Sequence, residues 1–164
     1  MTADLRIRFA TVDDVSVILT LIRGLAEYER LANEAVVTEA DVRATLFGER
    51  PAAEVLIAEI GAEAAGFALF FHNYSTFLGK RGLYLEDLFV FPAHRGRGIG
   101  RALMQRLAQL AVERDCGRFE WWVLDWNESA IRFYESLGAR AMSDWTVYRL
   151  TGEPLERLAG EPAR

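Results

Sequence analysis

The 164-residue sequence contains few of the residues that bind metals or form disulfides. It has one cysteine, Cys116, and two histidines, His72 and His94, which are scattered along the chain. One cysteine cannot form a disulfide within the chain, and these residues do not have the spacing of metal ligands. The sequence therefore predicts neither a disulfide framework nor a bound metal ion.

Long apolar runs and an excess of positive charge are also missing. No apolar run reaches the roughly 18 residues that a membrane-spanning helix needs, and the N-terminal MTADLRIRF has no apolar signal core. The formal net charge is −5, whereas proteins that bind nucleic acids usually carry a basic face. We therefore expect a cytoplasmic protein that binds neither membranes nor nucleic acids.

What the sequence does contain is a succession of segments with strand or helix periodicity. Residues 3–151 are predicted to form one α/β domain with a mixed sheet, in the order βααβββαβαβ. The tail at 152–164 has only a weak apolar pattern. The predicted strands lie at 5–10, 55–60, 65–71, 82–91, 119–124 and 145–150, with a loop at 72–82. The predicted helices lie at 12–28, at a segment ending near 47, at 99–116 and at 127–138. Thr11 with Asp14 and Thr38 with Asp41 have the spacing of capping boxes, which predicts the starts of the first two helices.

A glycine-rich segment, RGRGIGRALM at 95–104, joins a predicted strand to a predicted helix. A helix N-terminus exposes unpaired N–H groups and a partial positive charge, and glycines let an anion approach them closely. Arg95, Arg97 and Arg101 add positive charge, so the segment predicts a phosphate or pyrophosphate site. His94, in the preceding loop, is expected to be exposed to solvent.

The spacing of these glycines excludes two common phosphate loops. A nucleoside-triphosphate loop ends in Gly-Lys-Ser/Thr, which does not occur here. A dinucleotide fingerprint needs a small third residue, but Arg101 or Leu103 stands at that position, depending on the reading frame. A glycine turn that binds no ligand is the alternative left open by this segment alone.

Two adjacent carboxylates, Glu86 and Asp87, lie within an otherwise apolar predicted strand, GLYLEDLFVF. Strand alternation points them to opposite faces of the sheet. A carboxylate buried there should have a raised pKa, which suits a group that accepts a proton near neutral pH. Glu86 is the candidate base and Asp87 a structural or interfacial residue, with a salt bridge to an arginine as the ordinary alternative for Glu86.

Several motifs together resemble the GNAT superfamily of acetyltransferases. Arg95-x-x-Gly98-x-Gly100 matches its R/Q-x-x-G-x-G/A signature, and LYLEDLFV, WNESAIRFYESLGA and LAEYE resemble its diamine branch, which includes spermidine/spermine and thialysine acetyltransferases. The resemblance covers roughly residues 5–150. It implies a mostly antiparallel central sheet flanked by helices and splayed open where acetyl-CoA binds.

The resemblance also implies which residues hold acetyl-CoA. The glycine loop would bind its pyrophosphate, and the backbone of the strand would pair with pantetheine. A backbone N–H near Leu88 would polarise the thioester carbonyl. The implied cofactor-binding residues are Leu88, Phe89, Val90, Arg95, Gly96, Arg97, Gly98, Ile99, Gly100, Arg101, Asn127, Ser129 and Tyr134.

Two catalytic roles follow from the same resemblance. Glu86 would take the proton of the attacking amine, directly or through water, and the hydroxyl of Tyr134 would protonate the sulfur of CoA. Without the resemblance, Tyr134 would be interpreted as an ordinary core aromatic. Asn127 is expected to cap a helix and to contact the pantetheine arm or its phosphate.

The predicted substrate contacts are Tyr28, Glu29, Ser75, Phe77, Glu86 and Asp144. Polyamine enzymes of the branch carry an acidic residue and a tryptophan where this chain has Ser75 and Phe77, and Asp144 only approximately replaces a glutamate. A small diamine or an amino acid with a distal amine is therefore favoured over spermine.

The sequence predicts an N-acetyltransferase that forms a ternary complex with acetyl-CoA and a small amine and acts by direct attack. No residue resembles an activated covalent nucleophile. A homodimer is expected from the family. The alternatives are an acetyltransferase for protein lysines or N-termini, and a CoA-binding module without activity.

Overall fold

The computed structural model describes residues 4–162, which divide into two compact units, one ending at Leu124 and the other beginning at Asp125. No helix within residues 4–162 is long and apolar enough to cross a membrane. The predicted bounds of a single domain at 3–151 stay a prediction. Each unit is described separately below.

The first unit is built on a five-stranded sheet with its strands in chain order. The strands are β1 (Leu5–Phe9), β2 (Glu54–Ile60), β3 (Glu63–Ser75), β4 (Lys80–Val90) and β5 (Arg118–Trp121). The first four are mutually antiparallel, and only β5 runs parallel to its neighbour β4. The predicted mixed, mostly antiparallel sheet is therefore confirmed.

Helices cover both faces of this sheet. The helices α1 (Val15–Tyr28) and α2 (Glu39–Phe47) pack on one face, where Ile18, Leu21 and Val42 share a buried cluster with Phe67 and Phe89. The helix α3 (Ile99–Glu113) contacts the sheet through β3 and β4 and buries Leu103 and Leu107 completely. Alternation along β3 and β4 supplies apolar side chains to both faces.

Short-range hydrogen bonds to aspartate side chains mark where the first helices begin. Asp14 accepts a hydrogen bond from the Thr11 N–H at 2.7 Å, and Asp41 accepts one from the Thr38 N–H at 2.9 Å. Both bonds satisfy donors ahead of a helix, as the predicted capping boxes require. At the first of these starts, residues 12–14 form a 3₁₀ turn before α1.

The prediction of a loop at 72–82 is wrong for most of these residues. β3 continues to Ser75 and β4 begins at Lys80, so only residues 76–79 connect them. The Leu78 N–H donates to Ser75 Oγ at 3.3 Å, and Gly79 takes a φ of 63°, which closes this short turn. Polar residues in the segment hid the strand pairing that extends the hairpin.

The second unit contains α4 (Glu128–Ser136) and α5 (Gly152–Ala159). The strand predicted at 145–150 is wrong, because these residues form no regular secondary structure and are exposed. Alternation of side chains does not supply a pairing strand, and strands are stable only when paired. The predicted tail, in contrast, contains α5.

Candidate active site

The glycine loop leads into α3 and leaves the N-terminus of that helix open. Gly98 precedes α3 with a φ of 75°, and Gly96 has a φ of 74°, conformations that side chains other than glycine rarely adopt. A Cβ built on Gly96, Gly98 or Gly100 would meet no atom within 4 Å. The first N–H groups of α3 therefore face open space that an anion can enter.

The predicted residues of this loop contribute in different ways. Ile99 is buried in the core, so only its backbone can meet a ligand. The Arg97 guanidinium lies 3.4 Å from His94 Nδ1. The expectation that His94 is solvated is wrong, because it is buried and its Nε2 lies 3.4 Å from Glu63. Arg101 is exposed on the first turn of α3.

Arg95 lies against α1. Its guanidinium stacks 4.7 Å from the centre of the Tyr28 ring and 5.5 Å from that of Phe89. Its Nε donates to the Val90 carbonyl at 3.0 Å. This arginine is therefore tied to the α1 side of the sheet, which its place in the glycine signature did not indicate.

The end of β4 is paired on one side only. β5 pairs with β4 from Gly82 to Leu85, whereas β3 pairs with β4 as far as Val90. Within the described chain, residues 86–90 have no pairing to β5, so the sheet opens there. This opening exposes backbone groups of Leu88, Phe89 and Val90, at the place where the resemblance predicts a splay.

A β-bulge lies where the opening begins. Leu85 pairs with Phe70 and Asp87 pairs with Leu69, so Glu86 is an extra residue on β4. Such an insertion redirects side chains and is common beside active sites. The bulge interrupts the alternation on which the expected opposite orientation of Glu86 and Asp87 depended.

Three carboxylates lie near one another beside the bulge. Asp87 shares the face of Phe89 and Phe67 in the core cluster. Burial, with the negative charges of Glu86 and Glu29, raises the pKa of Asp87 to about 7. Burial and the charge of Glu86 also raise the pKa of Glu29. The set of Glu29, Glu86 and Asp87 is called the carboxylate cluster below.

Asp87 is the less exposed of the two adjacent carboxylates, whereas the sequence suggested that Glu86 would be the buried one. Glu86 is exposed, so the burial expected for it within the apolar strand is wrong. Asp87 is the carboxyl whose pKa burial does raise. Tyr84, on the same face, has a pKa raised to about 12 by burial and by the charges of Glu86, Glu120 and Asp87.

A groove of about 590 Å³ runs between α1 and the end of β4. A Cβ on Gly24 would lie 2.8 Å from the Phe89 ring, so the absence of a side chain there lets α1 approach β4. This α1 groove is lined chiefly by Arg23, Gly24, Glu27, Tyr28, Phe89 and Arg95. Its volume is within the usual range for small-molecule sites.

Two predicted substrate contacts lie away from the carboxylate cluster. Ser75 is six residues along β3 from Leu69, the partner of Asp87, which is about 20 Å of extended strand. Ser75 Oγ accepts a hydrogen bond within its own turn, and the Phe77 side chain is fully exposed at the tip. Within one copy of the chain, these residues do not share a pocket with the cluster.

The second unit holds the remaining predicted residues. Asn127 Oδ1 caps α4 by accepting from the Ala130 N–H at 3.3 Å, and it also accepts from Ser129 Oγ at 3.2 Å. Tyr134 is half-buried on α4, and its ring lies 5.3 Å from that of Phe133. Asp144 is exposed. The predicted cap is confirmed, while the catalytic and substrate roles of these residues stay predictions.

Sequence reasoning missed the bulge at Glu86 and the α1 groove. The doublet Glu86-Asp87 within an apolar strand was a signal for the bulge, because strict alternation would bury one charge on each face. Gly24 in the middle of α1 was a signal for the groove, since glycine inside a helix usually marks a close approach.

Known proteins resemble this chain over nearly its whole length. It is 39% identical to a thialysine N-epsilon-acetyltransferase of Sus scrofa, over 97% of this chain and 99% of the relative. It is 35% identical to an L-ornithine N5-acetyltransferase of Arabidopsis thaliana, over 93% of this chain and 87% of the relative.

Solved structures give the same result for the fold. An integron cassette protein from the mobile metagenome of V. cholerae matches with a TM-score of 0.80 and 28% identity, over 97% of this chain and 99% of that one. The sequence profile of the Acetyltransferase (GNAT) family matches residues 22–139. With the glycine loop, the opened sheet and these matches together, the chain belongs to the Acetyltransferase (GNAT) family.

Proposed function

We propose that the protein transfers the acetyl group of acetyl-CoA to the primary amine of a small diamine or amino-acid-like amine. Acetyl-CoA is the co-substrate that the family uses. The names of the relatives, a thialysine and an ornithine acetyltransferase, support an acceptor of this class. The carboxylate cluster is the observation that carries the proposal, because its charge attracts a cationic amine beside the opened strand.

The glycine loop supplies the proposed pyrophosphate site. The N–H groups at the start of α3 donate to phosphate oxygens, and Arg97 and Arg101 offset their negative charge. Gly96, Gly98 and Gly100 leave the approach open, since no atom lies within 4 Å of their Cβ positions. The buried side chain of Ile99 anchors the helix start to the core.

The opened end of β4 supplies the proposed pantetheine site. Backbone groups of Leu88, Phe89 and Val90 that face away from β3 pair with pantetheine as a further strand would. A backbone N–H at Leu88 donates to the thioester carbonyl oxygen, where negative charge develops during the reaction. Asn127 and Ser129 add polar contacts to the cofactor.

Two proton transfers accompany the acetyl transfer. The amine nitrogen forms a bond to the thioester carbonyl carbon, and the bond from that carbon to sulfur breaks. Glu86, exposed at the bulge, takes the proton that the amine loses, and the Tyr134 hydroxyl donates a proton to the departing thiolate. Tyr28, Glu29 and Asp144 contact the acceptor in the same proposal, whereas Ser75, at the end of β3, and Phe77, in the turn after it, lie too far away to contact it within one copy of the chain.

The test measures release of CoA thiol with thialysine, lysine, ornithine, putrescine, spermidine, spermine and a histone-tail peptide. Glu86→Gln and Tyr134→Phe are compared with the wild type. We expect turnover of a small amine, with both variants losing most of kcat, about 100-fold or more for a general acid or base, while still binding CoA. Preference for the peptide contradicts the substrate class, and CoA binding without turnover of any acceptor contradicts the enzymatic function.

We also propose a cytoplasmic homodimer. The single cysteine is typical of a protein from a reducing compartment. Large apolar side chains are exposed in the second unit, among them Trp145 and Tyr148, and exposed apolar surface of this kind favours association.

A further inference from the structure

Two opposite charges line the α1 groove without a partner. Arg23 and Glu27 lie one helical turn apart on α1, and both are exposed and line the groove. Among residues 4–162, neither side chain forms a hydrogen bond or an ion pair, not even with the other. Both are therefore available to a ligand in the groove.

This pair matches the head of an α-amino acid. Such a molecule carries a carboxylate and an ammonium on one carbon, and an arginine binds a carboxylate through two parallel N–H donors. Glu27, on the neighbouring turn, suits the ammonium. A simple diamine instead presents an ammonium at each end and would place one of them against Arg23.

The other arginine that lines the α1 groove is already engaged. Arg95 donates its Nε–H to the Val90 carbonyl and stacks on Tyr28 and Phe89, so it forms a wall of the groove. Arg23 is the arginine whose guanidinium is left for a ligand.

The spacing along α1 suits an amino acid with a distal amine. Glu29 of the carboxylate cluster caps the C-terminal end of α1, six positions after Arg23, which is about 9 Å along the helix axis. A lysine-length side chain extends about 6 Å from its α-carbon to its terminal nitrogen, and the arginine side chain adds reach. Phe89, two residues after Asp87 on the same face, contributes apolar surface between the two ends.

We propose that Arg23 binds the α-carboxylate, and Glu27 the α-ammonium, of an amino acid whose distal amine lies at the carboxylate cluster. This inference rests on the proposed function and deepens it, because it assigns acceptor specificity to two residues of α1. Arg23 makes the site favour amino acids over the diamines that result from their decarboxylation.

The experiment compares matched acceptors that differ only in the carboxylate: lysine with cadaverine, and ornithine with putrescine. KM and kcat are measured for the wild type, Arg23→Gln and Glu27→Gln, with Arg43→Gln on α2 as a matched exposed control. Lysine methyl ester is a third acceptor that keeps the α-amine but loses the carboxylate charge.

We expect Arg23→Gln to raise KM for lysine and ornithine by about 10- to 100-fold, as loss of a charged hydrogen bond implies. KM for the diamines should stay the same or fall, because the repulsion of their ammonium by Arg23 is removed, and KM for acetyl-CoA and kcat should stay within twofold. Lysine methyl ester should be a poor acceptor for the wild type and no poorer for Arg23→Gln. Glu27→Gln should also raise KM for the amino acids, and Arg43→Gln should change nothing.

Equal effects of Arg23→Gln on amino acids and diamines would overturn the assignment, as would a raised KM for acetyl-CoA, which would place the cofactor in the groove. Calorimetric titration with lysine separates this result from failure of the proposed function. Lysine binding that Arg23→Gln weakens supports the Arg23 site even if no acceptor is turned over. Absence of lysine binding to the wild type, or binding that Arg23→Gln leaves unchanged, overturns it.

Discussion

Asp87 is a carboxylic acid whose environment keeps it half-protonated near neutral pH. Burial and the charges of Glu86 and Glu29 raise its pKa to about 7. Below that pH the cluster carries one negative charge fewer and attracts a cationic amine less strongly. At this scale, a single side chain sets the pH range in which the proposed acceptor site is fully charged.

The pH dependence of acceptor binding follows from this residue. We expect kcat/KM for a small amine to rise as pH increases through about 7 in the wild type, because Asp87 ionises there. Asp87→Asn should lower kcat/KM above pH 8 and remove that step from the profile. Initial rates between pH 5.5 and 9 at saturating acetyl-CoA measure both effects.

Stability provides an independent check on the same carboxyl. A raised pKa favours the protonated folded form, so the contribution of Asp87 is present below its usual value of 3.8 and is lost as pH rises through about 7. The free energy of unfolding of the wild type should therefore fall relative to that of Asp87→Asn across this range. Asp13→Asn, at an exposed aspartate, should keep the wild-type pH profile, and a step at pH 7 that persists in Asp87→Asn would contradict the assignment.

At the scale of elements, the start of α3 depends on the conformation of one glycine. Gly98 has a φ of 75°, whereas Gly100, within the first turn of the helix, has an ordinary backbone, and a Cβ would meet no atom at either position. Gly98→Ala should lower the free energy of unfolding by about 1–2 kcal/mol, since the left-handed conformation is costly for alanine. Gly100→Ala should leave it unchanged or raise it by up to about 1 kcal/mol.

Urea denaturation of the two variants measures this difference. The comparison is matched, because each variant adds one methyl group to open space in the same loop and helix. Equal loss of stability in both variants would show that the cause is a steric clash of the added methyl group, not the cost of the left-handed backbone conformation. Calorimetric titration with CoA should also show weaker binding for Gly98→Ala, whose changed backbone redirects the first N–H groups of α3.

Elements with local signals could be predicted from the sequence, and elements that depend on distant partners could not. Asp14, Asp41 and Asn127 each bind a backbone N–H close by in the chain, so sequence spacing alone located three helix starts. The segment at 145–150 has strand alternation but pairs with no strand among residues 4–162, and alternation alone cannot reveal whether a segment is paired.

The same distinction between local signals and distant partners applies to the candidate site. The glycine loop was predicted because its backbone conformation is encoded by Gly96 and Gly98 themselves. The bulge at Glu86 arises from a register change against β3, and the α1 groove from packing of Gly24 on Phe89. Both are tertiary effects, which is why the sequence assigned the buried carboxylate to Glu86 rather than to Asp87.

At the scale of the whole molecule, exposed apolar side chains are concentrated in the second unit. Trp145 is 78% exposed and Tyr148 is 93% exposed, and Met142, Val147 and Leu150 are exposed in the same segment. Contiguous exposed apolar surface is typical of sites where proteins associate. In the proposed homodimer, a second copy of the chain covers this segment.

Sedimentation velocity tests this association. We expect the wild type to sediment with a mass near twice 18.5 kDa, and Trp145→Ser combined with Tyr148→Ser to shift it toward the monomer, because the pair removes large apolar area from the interface. Val36→Ser, at an equally exposed apolar residue in the first unit, should leave the mass unchanged. A wild-type monomer at micromolar concentration would contradict the dimer, and a dimer that survives the double substitution would place its interface outside the segment 142–150.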